Sequence, residues 1–306
     1  MTTSPIAHAS LRLPFGRELV VALYDRPGLH LNDADLAALT DELKVVALDG
    51  QAGKPLPEYG ALLGDRTDLS RRVITVAYDK KTGAPVGFNA LAYVPVPVGV
   101  RVVDVVHLGL AYVAGDWQRK HLPALLYGLS TFLLFVRTGL RSFWLSNVTQ
   151  VPAVVGLTAL NYDRVYPSHL PEARQTFLHL LLARGIMRAH RAAFGVGEEA
   201  GFDEVKQVIT NAYTGGSDHL KKSYDEAPKH RDARVNELCK TTLNYDRGDD
   251  ILQIGVCNLR AILRFLRTKM PPGAFMNVLF AGMTAVLLAA VLPVVRWLVP
   301  DPQEKP

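Results

Sequence analysis

Apolar residues first fall into a helical rhythm between Leu31 and Leu43, just after Asn32, Asp33 and Asp35, side chains that favour a helix start. The pattern then changes. Val73 to Tyr78 is a β-branched run, Asp79-Lys80-Lys81-Thr82-Gly83 reads as a turn, and Val86 to Val94 is a second run. This predicts an antiparallel hairpin. Val102 to Val113 is a further strand-like stretch. Leucine-rich Gln118 to Thr138 predicts a helix stopped by Gly139, and Arg141 to Val148 predicts another strand. Pro152 suits the first position of a short helix. Arg164 to Tyr166 reads as a last short strand before Pro167, and Pro171 to Phe194 as a second long helix.

The C-terminal third reads differently. Ile251 to Met270 carries Leu252, Val256, Leu259, Leu263 and Leu266 at helical spacing, with arginines between them. It predicts a basic amphipathic helix suited to an anionic leaflet. From Pro271 to Val295 no side chain is charged. About 20 apolar residues cross a bilayer as a helix, so residues 271–299 are expected to form a transmembrane helix, with Trp297 as an interfacial anchor. Arg260, Arg264, Arg267 and Lys269 precede this run, while Arg296, Asp301, Glu304 and Lys305 cancel after it. The positive-inside rule then places the N-terminal body in the cytoplasm, with a single pass through the membrane.

Composition supports the same division. The 306 residues are 49% hydrophobic and 21% charged, which excludes a wholly disordered or fibrous chain. The mean hydropathy of +0.11 averages an ordinary folded body with one apolar span. The net charge is +5, and Arg260, Arg264, Arg267 and Lys269 supply four of those charges. The basic character therefore points to a membrane lipid surface rather than to nucleic acid, whose binders interleave basic and aromatic residues on one face. Cys239 and Cys257 form no CxxC pair and stand near no histidine cluster, so no metal is expected. Met1 to Leu13 lacks the pattern of a cleavable signal peptide.

Candidate chemistry concentrates in residues 102–128. A strand there enters a tight segment, and a helix starts close to Arg119 and Lys120. Free N–H groups at a helix start bind anions, so a pyrophosphate suits this place. Histidine titrates near working pH, so His107 is the favoured proton acceptor on this strand, with Asp104 as the alternative. Strand alternation puts the two on opposite faces, so they do not act as a pair.

Tyr112-Val113 at the strand end, followed by Asp116-Trp117-Gln118-Arg119-Lys120, resembles the signature of the GNAT superfamily of N-acyltransferases. There a strand runs into Q/R-x-x-G-x-G/A, and the loop holds the pyrophosphate of acyl-CoA. Gln118 matches the first position, and Leu125 and Leu126 match the apolar positions of the following helix. His121 and Pro123 replace the two small residues, and Pro123 has no N–H to offer. Ser146-Asn147 before Pro152 to Tyr162 resembles the next strand and helix of the family.

The resemblance covers about residues 15–167. It implies a mixed, mostly antiparallel central sheet flanked by helices in a domain spanning 15–170. Outside it lie a helical extension, 171–270, and the transmembrane helix. It also implies acyl transfer from acyl-CoA, or an acyl carrier protein, to an amine. Val113 would polarise the thioester carbonyl, and Gln118, Arg119, Lys120, His121 and Asn147 would hold the donor. Tyr162 would protonate the departing thiolate. The anchor favours a lipidic acceptor or a long acyl chain. The alternative is a membrane-anchored binding or scaffold protein that has lost the activity. The oligomeric state is left open.

Overall fold

The computed structural model describes residues 10–51, 54–120 and 122–269. Its centre is a sheet of eleven strands, mixed but mostly antiparallel, with helices on both faces. The strands are β1 (Leu11–Phe15), β2 (Leu19–Asp25), β3 (Arg72–Asp79), β4 (Pro85–Val98), β5 (Arg101–His107), β6 (Ala111–Val113), β7 (Phe143–Thr149), β8 (Asp163–Tyr166), β9 (Gly201–Asp203), β10 (Val208–Thr210) and β11 (Asp250–Cys257). The order across the sheet is β1-β2-β3-β4-β5-β7-β11-β10-β9, with β6 beside β4 and β8 beside β11.

The helices are α1 (Pro27–His30), α2 (Asp33–Gly50), α3 (Arg66–Leu69), α4 (Leu122–Arg137), α5 (Pro152–Asn161), α6 (Phe177–Ala189), α7 (Ala233–Thr242) and α8 (Leu259–Lys269). Alternation along β4 sets the two layers. Phe88, Ala90, Ala92, Val94 and Val96 point to the face covered by α2 and α6, while Leu91 points to the face covered by α4, α5 and α8. α7 packs behind α5.

Helix starts follow local chemistry. α2 begins where the Asn32 side chain accepts from the Asp35 N–H at 2.9 Å, with Asp33 and Asp35 in the first turn. α6 begins at Phe177 rather than near Pro171. Thr176 and His179 form a reciprocal capping box there, with 3.3 Å and 3.1 Å bonds.

The predicted hairpin forms as β3 and β4. The region 171–270, expected to be a helical extension, instead gives the sheet three strands. The largest correction concerns residues 251–270, expected as one amphipathic helix. Asp250–Cys257 is a strand buried at all eight positions, paired with β7, β8 and β10. A strand covered on both faces has no polar side, so its apolar residues coincide with helical spacing by chance. The helix proper starts after Asn258, whose side chain accepts from the Ala261 N–H at 3.0 Å. It buries Ala261, Ile262 and Phe265 and leaves Leu259 and Leu263 58% and 40% exposed.

The proposed span at 271–299 lies outside the described residues. Among the described residues, no helix is long and apolar enough to cross a membrane.

Candidate functional site

β5 and β7 run parallel, paired from Val105–Trp144 to His107–Ser146, and the Leu108 N–H donates to the Ser146 carbonyl at 2.7 Å. Beyond that point the two strands part. Leu108, Gly109 and Leu110 leave regular strand geometry, and β6 stays on β4, pairing Ala111–Val113 with Gly87–Asn89. On the other side, Asn147, Val148 and Thr149 pair with β11. The strand read from Val102 to Val113 is therefore two strands, and a wedge opens between the second of them and β7. Strand edges that face a gap offer N–H and C=O groups to an extended ligand.

The wedge reaches a cavity on the α4 face. Tyr127, Thr131, Asn147, Thr158 and Tyr162 line it, and Ala261, Ile262 and Phe265 of α8 close it. Its volume is about 30 Å³, room for little more than bound water. The Tyr127 hydroxyl donates to the Gly109 carbonyl at 2.5 Å, which ties α4 to the irregular turn. Burial raises the pKa of both Tyr127 and Tyr162 above the ordinary phenol value, so both stay protonated. Asn147 donates to Thr158 and to Gln253, each at 3.2 Å, so its amide is committed to joining β7, α5 and β11.

The expected donor loop is already engaged with the protein. Gly115 to Lys120 forms a 3-10 turn, and α4 starts at Leu122, four residues later than the sequence predicts. Gly115 N–H donates to Asp49 at 2.8 Å, and the Ala114 and Trp117 N–H groups go to the carbonyls of Val86 and Ala114. The Gln118 amide donates to the carbonyls of Gly50 and Val113, at 3.0 and 3.3 Å. Gln118 thus pins the turn to the end of α2, and the Val113 carbonyl is one of its acceptors. Pro123, in the first turn of α4, brings no N–H. His121 and the side chains of Arg119 and Lys120 lie outside the described residues.

His107 and Asp104 take opposite faces, as alternation requires. Asp104 is exposed. His107 is 2% exposed, within 3.1 Å of the Ser146 hydroxyl and tilted against Phe194 with ring centroids 4.9 Å apart. Burial, helped by the Arg72 charge, pushes its pKa down to about 3. Its ring is neutral near pH 7 and resists taking a proton there.

Residues that the sequence left unmarked gather on the α6 face. Arg72 is 2% exposed, donates to Asp68 through Nη2 at 2.8 Å and through Nε, and reaches the Ala193 carbonyl at 3.4 Å. A polar cleft of about 970 Å³ borders this pair, with Tyr59, Asp65, Arg71, Arg188 and His190 on its walls. Asp250 stands one residue before Ile251, the partner of Thr149 at the end of β7. It accepts from the Tyr213 hydroxyl at 3.0 Å. Burial, and then the neighbouring Asp249, push its pKa up to about 7. Tyr59 stands on the wall of the cleft, and burial raises its pKa well above the ordinary phenol value. These groups are scattered over nearly 200 positions of sequence. Asp250 stands one residue before the segment that the sequence reads as helix, and a buried carboxylate has no sequence signature of its own.

No family model matches the chain, and no curated protein matches it. Several solved structures are similar to parts of it. One is a GCN5-related glucosamine N-acetyltransferase region in a fungal multi-domain GH3 β-N-acetylglucosaminidase. It is 22% identical, with a TM-score of 0.27, over 44% of this chain and 14% of that one. An acetyltransferase of Trypanosoma brucei is 17% identical, with a TM-score of 0.25, over 40% of this chain and 77% of that one. The ribosomal-protein-S5-alanine acetyltransferase of Vibrio fischeri is 11% identical, with a TM-score of 0.34, over 81% of this chain and 97% of that one. Likenesses this distant carry no argument about the site, which rests on its own geometry.

Proposed function

We propose that this protein is an N-acyltransferase that moves an acyl group from a thioester, acyl-CoA or an acyl carrier protein, to an amine. The observation that carries this reading is the wedge between β6 and β7, flanked by two protonated tyrosines, Tyr162 buried and Tyr127 partly buried. An extended thioester arm laid in the wedge would pair with the facing strand edges. The amine nitrogen attacks the thioester carbon, the C–N bond forms and the C–S bond breaks. The thiolate takes its proton from Tyr162, with Tyr127 as the neighbouring phenol. The attacking amine loses its proton, directly or through water, to Asp250, whose pKa of about 7 suits a base better than that of His107. Residues 271–299 would hold the body at a membrane on its cytoplasmic side, which favours a lipidic amine or a long acyl chain.

The test is to incubate the full-length protein in lipid vesicles with labelled acyl-CoA and a range of amines, and to separate N-acyl products. Acylation of a lipidic amine supports the whole reading. Acetylation of soluble amines alone removes the lipid part, and no product with any acceptor removes the enzyme.

A second reading has its own observation. The Gly115 N–H is spent on the Asp49 carboxylate, Pro123 offers none, and the wedge cavity holds only about 30 Å³. A membrane-anchored protein that binds an acyl donor, or serves as a scaffold, fits these facts. Donor binding without turnover would select it.

A further inference from the structure

The helix that closes the wedge has an unusual pair of faces. Its inner face places Ala261, Ile262 and Phe265 against α4 and α5, all within 5% of full burial. It is secured at one carboxylate. Asp163 accepts from Asn258 at 2.9 Å and from Arg264 at 2.9 Å, and Arg264 also donates to the Leu160 carbonyl at 2.8 Å. The outer face carries Leu259 and Leu263, one turn apart, beside the exposed Arg260 and Arg267. No acid occurs in the helix. The adjoining cleft brings Arg164 and Arg174 alongside Arg260, with Glu172 and the engaged Asp163 as its acids. Two residues after Lys269, at Pro271, the sequence enters its uncharged run.

Resting on the reading of the wedge as the donor site, we propose that α8 is a displaceable cover over that site, and that an anionic bilayer surface draws it off. A surface shifts such an equilibrium only if it binds the open state better than the closed one. Here it does so for a structural reason. When α8 lies on the wedge, it offers a membrane Leu259, Leu263 and its arginines. Once lifted, it adds Ile262, Phe265 and Leu266 to the same apolar side, giving a broad stripe for the acyl boundary with arginines at the headgroups. Release also exposes the space beside Tyr127 and Tyr162 that Phe265 fills, so covering the site and leaving the membrane are one event.

The test uses the full chain, with Cys257→Ser throughout, in vesicles of phosphatidylcholine alone or with phosphatidylserine. The probes are acetyl-CoA and acetyl-phosphopantetheine, whose arm is common to both donor types, followed by equilibrium dialysis. A Gly128→Cys/Phe265→Cys pair joins α4 to α8 when oxidised, since the two positions are in contact. With phosphatidylserine, the single-variant protein is expected to bind at least about tenfold tighter. The oxidised pair binds weakly on both surfaces, and its reduced form binds tightly on both. Equal binding on the two surfaces overturns the proposal, and so does an oxidised pair that binds as well as its reduced form. In either case the donor site itself stands. If no form binds either probe, including a Phe265→Ala variant shown to be folded by its urea midpoint, the donor reading fails and the cover falls with it.

Discussion

The ring of Phe265 fills the space that any side chain at position 128 would need. A Cβ built on Gly128 would lie 2.0 Å from Cε2 of that ring. Gly128 sits in the middle of α4, where glycine costs helix stability, so its place there is explained by the close approach of α8. Gly128→Ala is expected to destabilise the protein by about 1–3 kcal/mol through overpacking. Phe265→Ala alone leaves a void and costs about 3–5 kcal/mol. The two changes together are expected to cost less than their sum, because the new methyl occupies the vacated space. Urea unfolding of the four forms in a double-mutant cycle measures this coupling, and strict additivity would refute the contact.

The pair between Arg72 and Asp68 is expected to be a point of fragility. Arg72 is 2% exposed while Asp68 retains some solvent access. Asp68→Asn leaves a buried guanidinium without its counter-charge, at a cost of about 3–5 kcal/mol. Arg72→Met, which removes the buried charge, is expected to cost less. The urea midpoints of the two variants give the ranking.

His107 and Asp250 are expected to act on stability in opposite directions with pH. His107 has a folded pKa lowered to about 3, so the unfolded chain binds more protons below its ordinary value. Its contribution is lost as pH falls through about 6.5 towards 3. Asp250 has a folded pKa raised to about 7, so the folded chain holds the extra proton. That contribution is present below about 4 and is lost as pH rises towards 7. Replacing His107 with Gln should flatten the acid limb of the stability profile. Asp250→Asn should stabilise the protein at pH 8 relative to the parent and leave it nearly unchanged at pH 4. Unfolding free energies across pH 3–9 test both signs.

If the chain transfers acyl groups as proposed, Tyr162→Phe and Asp250→Asn are expected to lower kcat by about 10²-fold or more, the usual scale of a lost acid or base. The low-pH limb of kcat, near pH 7 in the parent, should disappear with Asp250→Asn. His107→Ala is expected to affect stability more than that limb. A limb that survives in Asp250→Asn assigns the base elsewhere.

Local chemistry made much of the fold legible. The β3–β4 hairpin is visible because β-branched runs flank a turn ending in Gly83. The start of α2 is visible because Asn32 and two acids precede an apolar rhythm. β11 was not legible in the same way. Its apolar residues fit helical spacing, and only pairing with β7, β8 and β10 shows that it is a central strand. Of the candidate site, only the neighbourhood was legible. His107, Val113, Gln118, Asn147 and Tyr162 do fall around the β5–β7 region. What each of them does depends on neighbours that the chain order does not announce, such as Asp49 for the loop and Gly50 for Gln118.

The sequence by itself determined the order of the main strands and helices from α2 to about residue 167, without β1 and β2, together with the unequal spread of charge and the amphipathic character of the C-terminal part of residues 251–270. These follow from side-chain properties repeated at short range. Tertiary structure alone decided that β6 leaves β7 to open a wedge, that α8 covers it, and that Asp250 and His107 have their proton affinities moved in opposite senses. Each depends on burial among segments up to 200 residues apart, and burial sets both the space left for a ligand and the cost of a charge.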